Sequence, residues 1–407
     1  MKTLRADHLF LHPPAPFLPR RKGSPHSCQG RFPSSIGGWA RGGGKIKILV
    51  ALSGGVDSSV AACLLKAQGH DVVGVHLRLW QDPSAPALAK ILPSKCCTLQ
   101  SLHRVKAVAR SLALPLHIID LSKEFKRSVV DPFVNDYRRG LTPNPCVLCN
   151  PHFKFRHLLL LAKKYSCDAV ATGHYARTAV RKRSGKRVHI LLEARDHSKD
   201  QSYYLYRLSQ EQMKNILFPL GDLLKTEVYA LAKKFKIPLE RTSYRESQNL
   251  CFFPEKDTGP FLHRSIKTAP GMIFDREGKV LGRHEGLPFY TVGQRRGLLI
   301  GGLKIPLYIV RKDQRRNALI VAPRGDVLTS SIPLRDCTWI NGKAPKSHPA
   351  VEARIRSLGN RHRGTVAVHG TSAVFTLKKP IEPVAPGQSV MLYRGKEVLG
   401  GGMAKEA

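Results

Sequence analysis

The chain has 407 residues, enough for two or three domains and a substantial core. Lysine and arginine number 67 against 29 acidic residues, a formal net charge of +38, which points to a polyanionic partner, nucleic acid ahead of an anionic membrane surface. No run approaches the roughly 18 apolar residues of a spanning helix, so no membrane partner is expected.

Residues 1–44 read as a disordered basic extension, rich in Pro, Gly, Arg and Ser, with Asp7 as the only acid. The composition resembles an organellar transit peptide but lacks its amphipathic helix. A disordered extension or a misassigned start is expected, although the next methionine is Met213. The expected location is the cytoplasm, with an organelle as the alternative.

Order begins at Ile46, with a buried-type strand through Leu52. A helix over Ser58–Gln68 follows, with Gly69 at its end, then a strand over Val72–Leu79. Leu102–Leu112 reads as a helix, Leu116–Asp120 as a strand, Phe153–Tyr165 as a helix and Ala169–Thr172 as a short strand. Alternating strands and helices predict an α/β fold, a doubly wound parallel sheet over residues 45–210. Residues 211–270 read as a small, mainly helical central domain that includes Cys251. Short β-rich runs separated by Gly and Pro predict an antiparallel β-barrel over 271–407.

Ser53-Gly-Gly-Val-Asp-Ser-Ser59 lies between the first strand and the first helix. Gly54 and Gly55 let backbone approach an anion closely. Ser58 and Ser59 can cap the helix and donate to phosphate oxygens, and the helix N-terminus adds positive potential. The Gly-Lys-Ser/Thr ending of a kinase-type P-loop is missing. A carboxylate here repels phosphate unless it binds a cation, which makes Asp57 a candidate magnesium ligand. The loop is similar to that of ATP pyrophosphatases that adenylate a carbonyl oxygen, and it leaves acceptor and nucleophile open.

The nine cysteines, in a chain showing no secretory signal, suggest a reducing compartment and catalytic or metal-binding thiols. Thr142-Pro-Asn-Pro-Cys-Val-Leu-Cys-Asn150 places Cys146 and Cys149 in a Pro-rigidified loop ahead of a helix and near Lys154 and Arg156. That setting predicts a depressed thiol pKa. Cys251 follows in a distant segment, Glu246–Phe253. Two such thiols meeting at one ATP suit sulfur insertion. A metal or redox pair, or an iron–sulfur cluster that also uses Cys96 and Cys97, is the alternative.

These segments bring out a closer resemblance. From about residue 46 to 403 the chain resembles bacterial-type tRNA-specific 2-thiouridylases, the MnmA/TrmU family. It does so through SGGVDSS at 53–59, TPNPCVLCN at 142–150, ATGHY at 171–175, KDQSYYLY at 199–206, NLCF at 249–252, YTVGQRRGL at 290–298 and PGQS at 386–389. The resemblance implies ATP-dependent 2-thiolation of the wobble uridine of tRNA, releasing AMP and pyrophosphate. It implies ATP and magnesium as cofactors, tRNA as partner and a persulfide sulfur donor.

Residue by residue, the resemblance places Ala51, Leu52, Ser53, Gly54, Gly55, Val56, Asp57 and Ser58 at the ATP phosphates, with Leu77 and Gly173 by the adenosine. Cys251 is implied to carry the persulfide. Cys149 is implied to be the nucleophile toward it and able to form a disulfide with it. Asn144, Pro145 and Cys146 are implied at the target base, and His174, Lys199, Asp200, Gln201 and Gln388 on tRNA. Arg356 and Ser357 stand where the family usually has an Arg-Tyr pair on tRNA, so serine here removes a base-stacking surface. Some members have Asp where this chain has Cys146. A small-molecule amidotransferase or a non-catalytic RNA-binding protein is the competing class.

Overall fold

The computed structural model describes residues 44–86, 98–183, 185–237, 250–255, 257–298, 300–301, 305–346 and 349–406. The basic extension before residue 44, Cys28, Cys96, Cys97 and Asn249 lie outside the described residues.

Five strands form the first sheet: β1 (Lys47–Ala51), β2 (Asp71–Arg78), β3 (Leu116–Asp120), β4 (Ala169–Ala171) and β7 (Ile216–Leu217), in the order β3-β2-β1-β4-β7. All four pairings are parallel. Alternate residues of β1 serve opposite faces. Ile48, Val50 and Leu52 pack with Ala62 and Leu65 of α1 (Val56–Ala67) and Val105 of α2 (Leu99–Ser111). Leu49 packs with Val73, Val75, Phe155 and Leu158 on the other face. The strand order reverses between β1 and β4, so their carboxyl ends open a crevice, the usual ligand position of such sheets.

Two helices start earlier than the sequence suggests. The first begins at Val56, with Gly55 at its cap position. The second begins at Pro145, whose fixed φ suits the first turn. It runs as α4 (Pro145–Cys149), a π-helical turn (Asn150–Lys154) and α5 (Phe155–Lys164). Such turns occur mostly as single interruptions of α-helices and favour functional sites.

Within 211–270, read as helical, β7 joins the parallel sheet and α7 (Lys225–Lys234) packs on α1. Only α8 (Gly259–Ser265) stands beyond that layer among the described helices. Residues 271–407, read as one barrel, divide into two sheets. Strands β8 (Gly271–Phe274), β9 (Val280–His284), β10 (Leu307–Asp313) and β11 (Ala318–Pro323) make one, in the order β10-β11-β8-β9. A helical turn after Pro323 interrupts the ladder, since proline offers no N–H to continue it. The second sheet comprises β12 (Thr329–Trp339), β13 (Ala350–Arg354), β14 (Arg361–His369), β15 (Ser372–Ile381), β16 (Ser389–Arg394) and β17 (Glu397–Ala404). Pairing of β12 with β17 closes these six into an antiparallel barrel.

The barrel is extended by a hairpin that follows β4 in the chain. This hairpin, β5 (Arg177–Arg183) and β6 (Lys186–Leu192), adds to it through β6–β17, with Leu191 opposite Val398. Beside this seam Arg354 is buried between Asp200, at 2.9 Å, and Glu193, at 3.1 Å. Its guanidinium also donates to the Tyr393 hydroxyl at 3.2 Å. Arg361 adds a second pairing to Glu193 and lies over the Tyr393 ring, 3.9 Å from its centroid. Removing one partner of a buried pair leaves an uncompensated charge, at a cost of about 3–5 kcal/mol. Arg354→Ala is therefore expected to lower unfolding stability by about that amount in denaturant titration. A loss under about 1 kcal/mol would refute a stabilising role for this pairing.

Candidate active site

The nucleotide loop is braced from within. Ser58 Oγ accepts from the Ser53 N–H at 3.1 Å and lies within hydrogen-bond distance of the Gly55 carbonyl, also at 3.1 Å. Ser59 Oγ donates to the same carbonyl at 2.9 Å. Both serines are buried. Neither caps α1, contrary to the sequence expectation, because their hydroxyls turn back to Gly55. Glycine is required at 54 for two reasons: its φ is +80°, and a Cβ there would stand 2.5 Å from the Ser101 carbonyl oxygen. From α2, Arg104 Nε holds the Gly54 carbonyl at 2.9 Å.

The loop after β4 closes over α1. A Cβ on Gly173 would stand 2.7 Å from the Ser58 nitrogen and 2.8 Å from the Asp57 carbonyl carbon. Leu77 packs against the β2 face of the larger core, and Leu52 is buried with its carbonyl against His76 Nδ1 at 2.8 Å.

Asp57 Oδ1 accepts from the Tyr175 hydroxyl at 2.8 Å and from Lys225 Nζ at 2.7 Å. The Lys225 side chain is 9 % exposed. The protein itself thus sets one cation, Lys225, against the carboxylate at which the sequence reading expects magnesium. Asp57 is one partly exposed carboxylate, which suits a magnesium held mainly by phosphates and water. Lys225 was not legible locally: it opens an ordinary helix whose first turn is capped by Glu227.

The two cysteines belong to one apolar cluster. Cys149 is buried among Phe125, Phe133, Phe153, Phe252 and Phe261, and the half-buried Cys251 packs against the same group. Leu79 and Trp80, at the carboxyl end of β2, border it. The Cys251 segment is tied there by the Asp82 N–H, which donates to the Phe252 carbonyl at 3.1 Å. Arg264 adds a charged tie, 2.6 Å from Asp82 and 2.7 Å from Glu255. None of the six described cysteines forms a disulfide.

The expected low thiol pKa is not found. Burial pushes Cys146 up to about 12 and also raises Cys149, although Lys154 opposes both shifts. Desolvation outweighs the nearby charge. Among the described residues no three His, Cys, Asp or Glu side chains are grouped to hold a metal. Cys96 and Cys97, which the iron–sulfur alternative would also use, lie outside the described residues.

Asn144, Pro145 and Cys146 form the start of α4, where the PGQS loop reaches them: the Thr142 N–H donates to the Pro386 carbonyl at 2.8 Å. Gln388 is half-buried beside this contact. Tyr203 joins the same region, hydrogen-bonded to the Asn144 side chain and lying 2.8 Å from the Ile355 carbonyl oxygen. Arg356 is exposed and Ser357 half-buried just beyond. Gln201 Oε1 accepts from the Tyr175 N–H at 2.9 Å, and Lys199 is half-buried. Asp200 differs from the expected surface contact. It is 1 % exposed, and its carboxylate accepts from Ala194, Ser202 and Arg354. His174 is held at its Nδ1 by Thr172 at 2.7 Å, and burial lowers its pKa to about 3, leaving it uncharged at neutral pH.

Three family models tile the chain: a tRNA methyl transferase HUP domain over 46–255, a tRNA methyl transferase PRC-barrel domain over 259–323, and an aminomethyltransferase beta-barrel domain over 329–404. The tRNA-specific 2-thiouridylase MnmA of Geobacter metallireducens is 43% identical over 361 residues, covering 88% of this chain and 96% of that protein. The chain belongs to the MnmA family. Its relative from Paracoccus denitrificans, also named tRNA-specific 2-thiouridylase MnmA, is 38% identical over 394 residues, 95% of this chain and 97% of that one. The family's two-sheet C-terminal division matches the break seen here after Pro323.

Because burial raises Cys149, its thiolate should be scarce at neutral pH and grow as pH climbs toward and beyond 9.0, the ordinary thiol value. Site-mapped iodoacetamide labelling of the free protein should therefore accelerate across that range, and Lys154→Met should shift the curve further up. A rate already flat at pH 7 would show that the thiol is depressed after all.

Proposed function

We propose that the protein is an ATP-dependent tRNA sulfurtransferase that converts the wobble uridine to 2-thiouridine. The observation that supports this reading is that Cys149 and Cys251, from distant segments, belong to one apolar cluster bordered by Leu79 and Trp80 at the carboxyl end of β2. The net charge of +38 suits an RNA substrate, and the relatives named 2-thiouridylases supply the reaction.

In this reading the loop from Ala51 to Ser58 holds the ATP phosphates, and Leu77 and Gly173 flank the adenosine. The target base leaves its stack to reach the site. Asn144, Pro145 and Cys146 receive it, while His174, Lys199, Gln201, Arg356, Ser357 and Gln388 hold the surrounding RNA. Asp200 acts at one remove, by fixing Lys199 and Gln201. The uridine C2 oxygen attacks the α-phosphorus and pyrophosphate leaves, with Lys225 placed to balance its charge. Magnesium on Asp57 and the phosphates would offset the remaining negative charge.

A persulfide on Cys251, loaded by a donor protein or relay, attacks C2 through its terminal sulfur and AMP departs. The Cys149 thiolate then attacks Cys251 Sγ. The Cys149–Cys251 disulfide forms, and the sulfur stays on C2. A thiol reductant supplies the two electrons that reset the pair.

Cys251→Ser should accept no persulfide and accumulate adenylated tRNA. Cys149→Ser should load sulfur on Cys251 yet release it slowly, without the disulfide. Mass spectrometry of protein and nucleosides reads both outcomes. A fully active Cys251→Ser variant would eliminate this route. A methylated nucleoside in place of a thiolated one would favour the methyl transfer in the family models' descriptions.

Lys225→Met should slow tRNA-dependent pyrophosphate release by about a hundredfold or more while tRNA binding persists. Unchanged release would remove Lys225 from the phosphate site.

A further inference from the structure

Ser357 lies just past the end of β13. Tyr204 lies directly against it. This residue ends a 3-10 turn, Ser202–Tyr204, that packs on α4. Its hydroxyl is hydrogen-bonded to the Ser357 side chain, and Cys146 lies near it. Its carbonyl accepts from Asn150 Nδ2 at 3.1 Å, so the turn is tied to the residue after Cys149. The Tyr203 ring stands edge-on to it, centroids 5.4 Å apart at 90°. Two elements therefore hold the side chain, the barrel through Ser357 and the 3-10 turn through Tyr203, while the π-turn holds its backbone through Asn150. The side chain nevertheless keeps part of its surface in solvent.

We propose that Tyr204 is the aromatic platform on which the extruded uracil stacks, oriented by its hydrogen bond to Ser357. This deepens the functional reading above and rests on it. A pyrimidine ring entering beside Cys146 meets one aromatic face of fixed tilt. Stacking on such a face tolerates the loss of base pairing that extrusion imposes.

The test measures binding of the full-length protein to an anticodon stem-loop RNA with uridine at the target position and to the same RNA abasic there. Wild-type protein should prefer the uridine RNA by roughly tenfold. Tyr204→Leu, which keeps an apolar side chain for packing, should abolish the preference while ATP binding and the abasic affinity stay. Tyr204→Phe and Ser357→Ala should each reduce it by about threefold, since each removes the same hydrogen bond, and the double variant should lose no more than either alone. The last pair keeps the proposal testable even if Tyr204→Leu does not fold. A wild-type preference retained by Tyr204→Leu, or by both Tyr204→Phe and Ser357→Ala, overturns the platform. Thiolation of tRNA by the wild-type protein alongside that result would leave the functional reading standing. Absence of thiolation would sink the reading and the proposal with it.

Discussion

Arg354 carries a positive charge into the interior, and desolvating it is tolerable only because Asp200 and Glu193 stand at 2.9 and 3.1 Å. The partners come from different parts of the chain. Asp200 and Glu193 lie in the loop between β6 and the nucleotide-side turn, and Arg354 ends a barrel strand. A buried pair of this kind is geometrically intolerant, since a shift of either body exposes a lone charge to an apolar interior. The loop from Glu193 to Asp200 is therefore held against the barrel, and β6–β17 pairing adds backbone hydrogen bonds to the same side. Everything proposed for the RNA base depends on that contact. It carries Ile355 and Ser357, just past Arg354, to Tyr203 and Tyr204.

A second constraint is electrostatic and local to the nucleotide loop. A carboxylate at position 57 would oppose phosphate binding, yet here Lys225 and Tyr175 both lie on one of its oxygens. Pairing turns an isolated anion into a fixed dipole whose ammonium end sits beside the loop. The same contact binds α7 to α1, so the loop's charge balance and the packing of the helical layer are one interaction.

The legibility of the site followed the range of the interactions. The glycine-rich loop was readable because strand, turn and helix are contiguous and the backbone demand at Gly54 is local. The cysteine pair was readable from its residue types. Three features were not. Lys225 reaches Asp57 across a long sequence separation from a helix start with nothing unusual about it. The β5–β6 hairpin carries so many basic residues that its alternation is masked, and its partner strand is near the other end of the chain. The thiol pKa values went the other way because charge near Cys149 is visible in sequence, whereas burial among phenylalanines is a property of the folded cluster.

That last difference changes how the sulfur chemistry must be controlled. A thiolate at rest beside a persulfide would discharge it, forming the disulfide and releasing sulfide with no RNA present. Cys149 is instead kept protonated by its apolar surroundings, and Lys154 stands near enough to oppose that shift. Nucleophilicity then depends on a change of environment. In the proposed reaction, an RNA entering beside Cys146 would bring phosphates and displace apolar contacts, altering the balance between desolvation and the Lys154 charge. The π-turn between Cys149 and Lys154 is the segment where such an adjustment is least costly, because its hydrogen bonds are already displaced from the α-helical ladder. In the proposed reaction the aromatic cluster would therefore hold Cys149 protonated until the acceptor changes its surroundings.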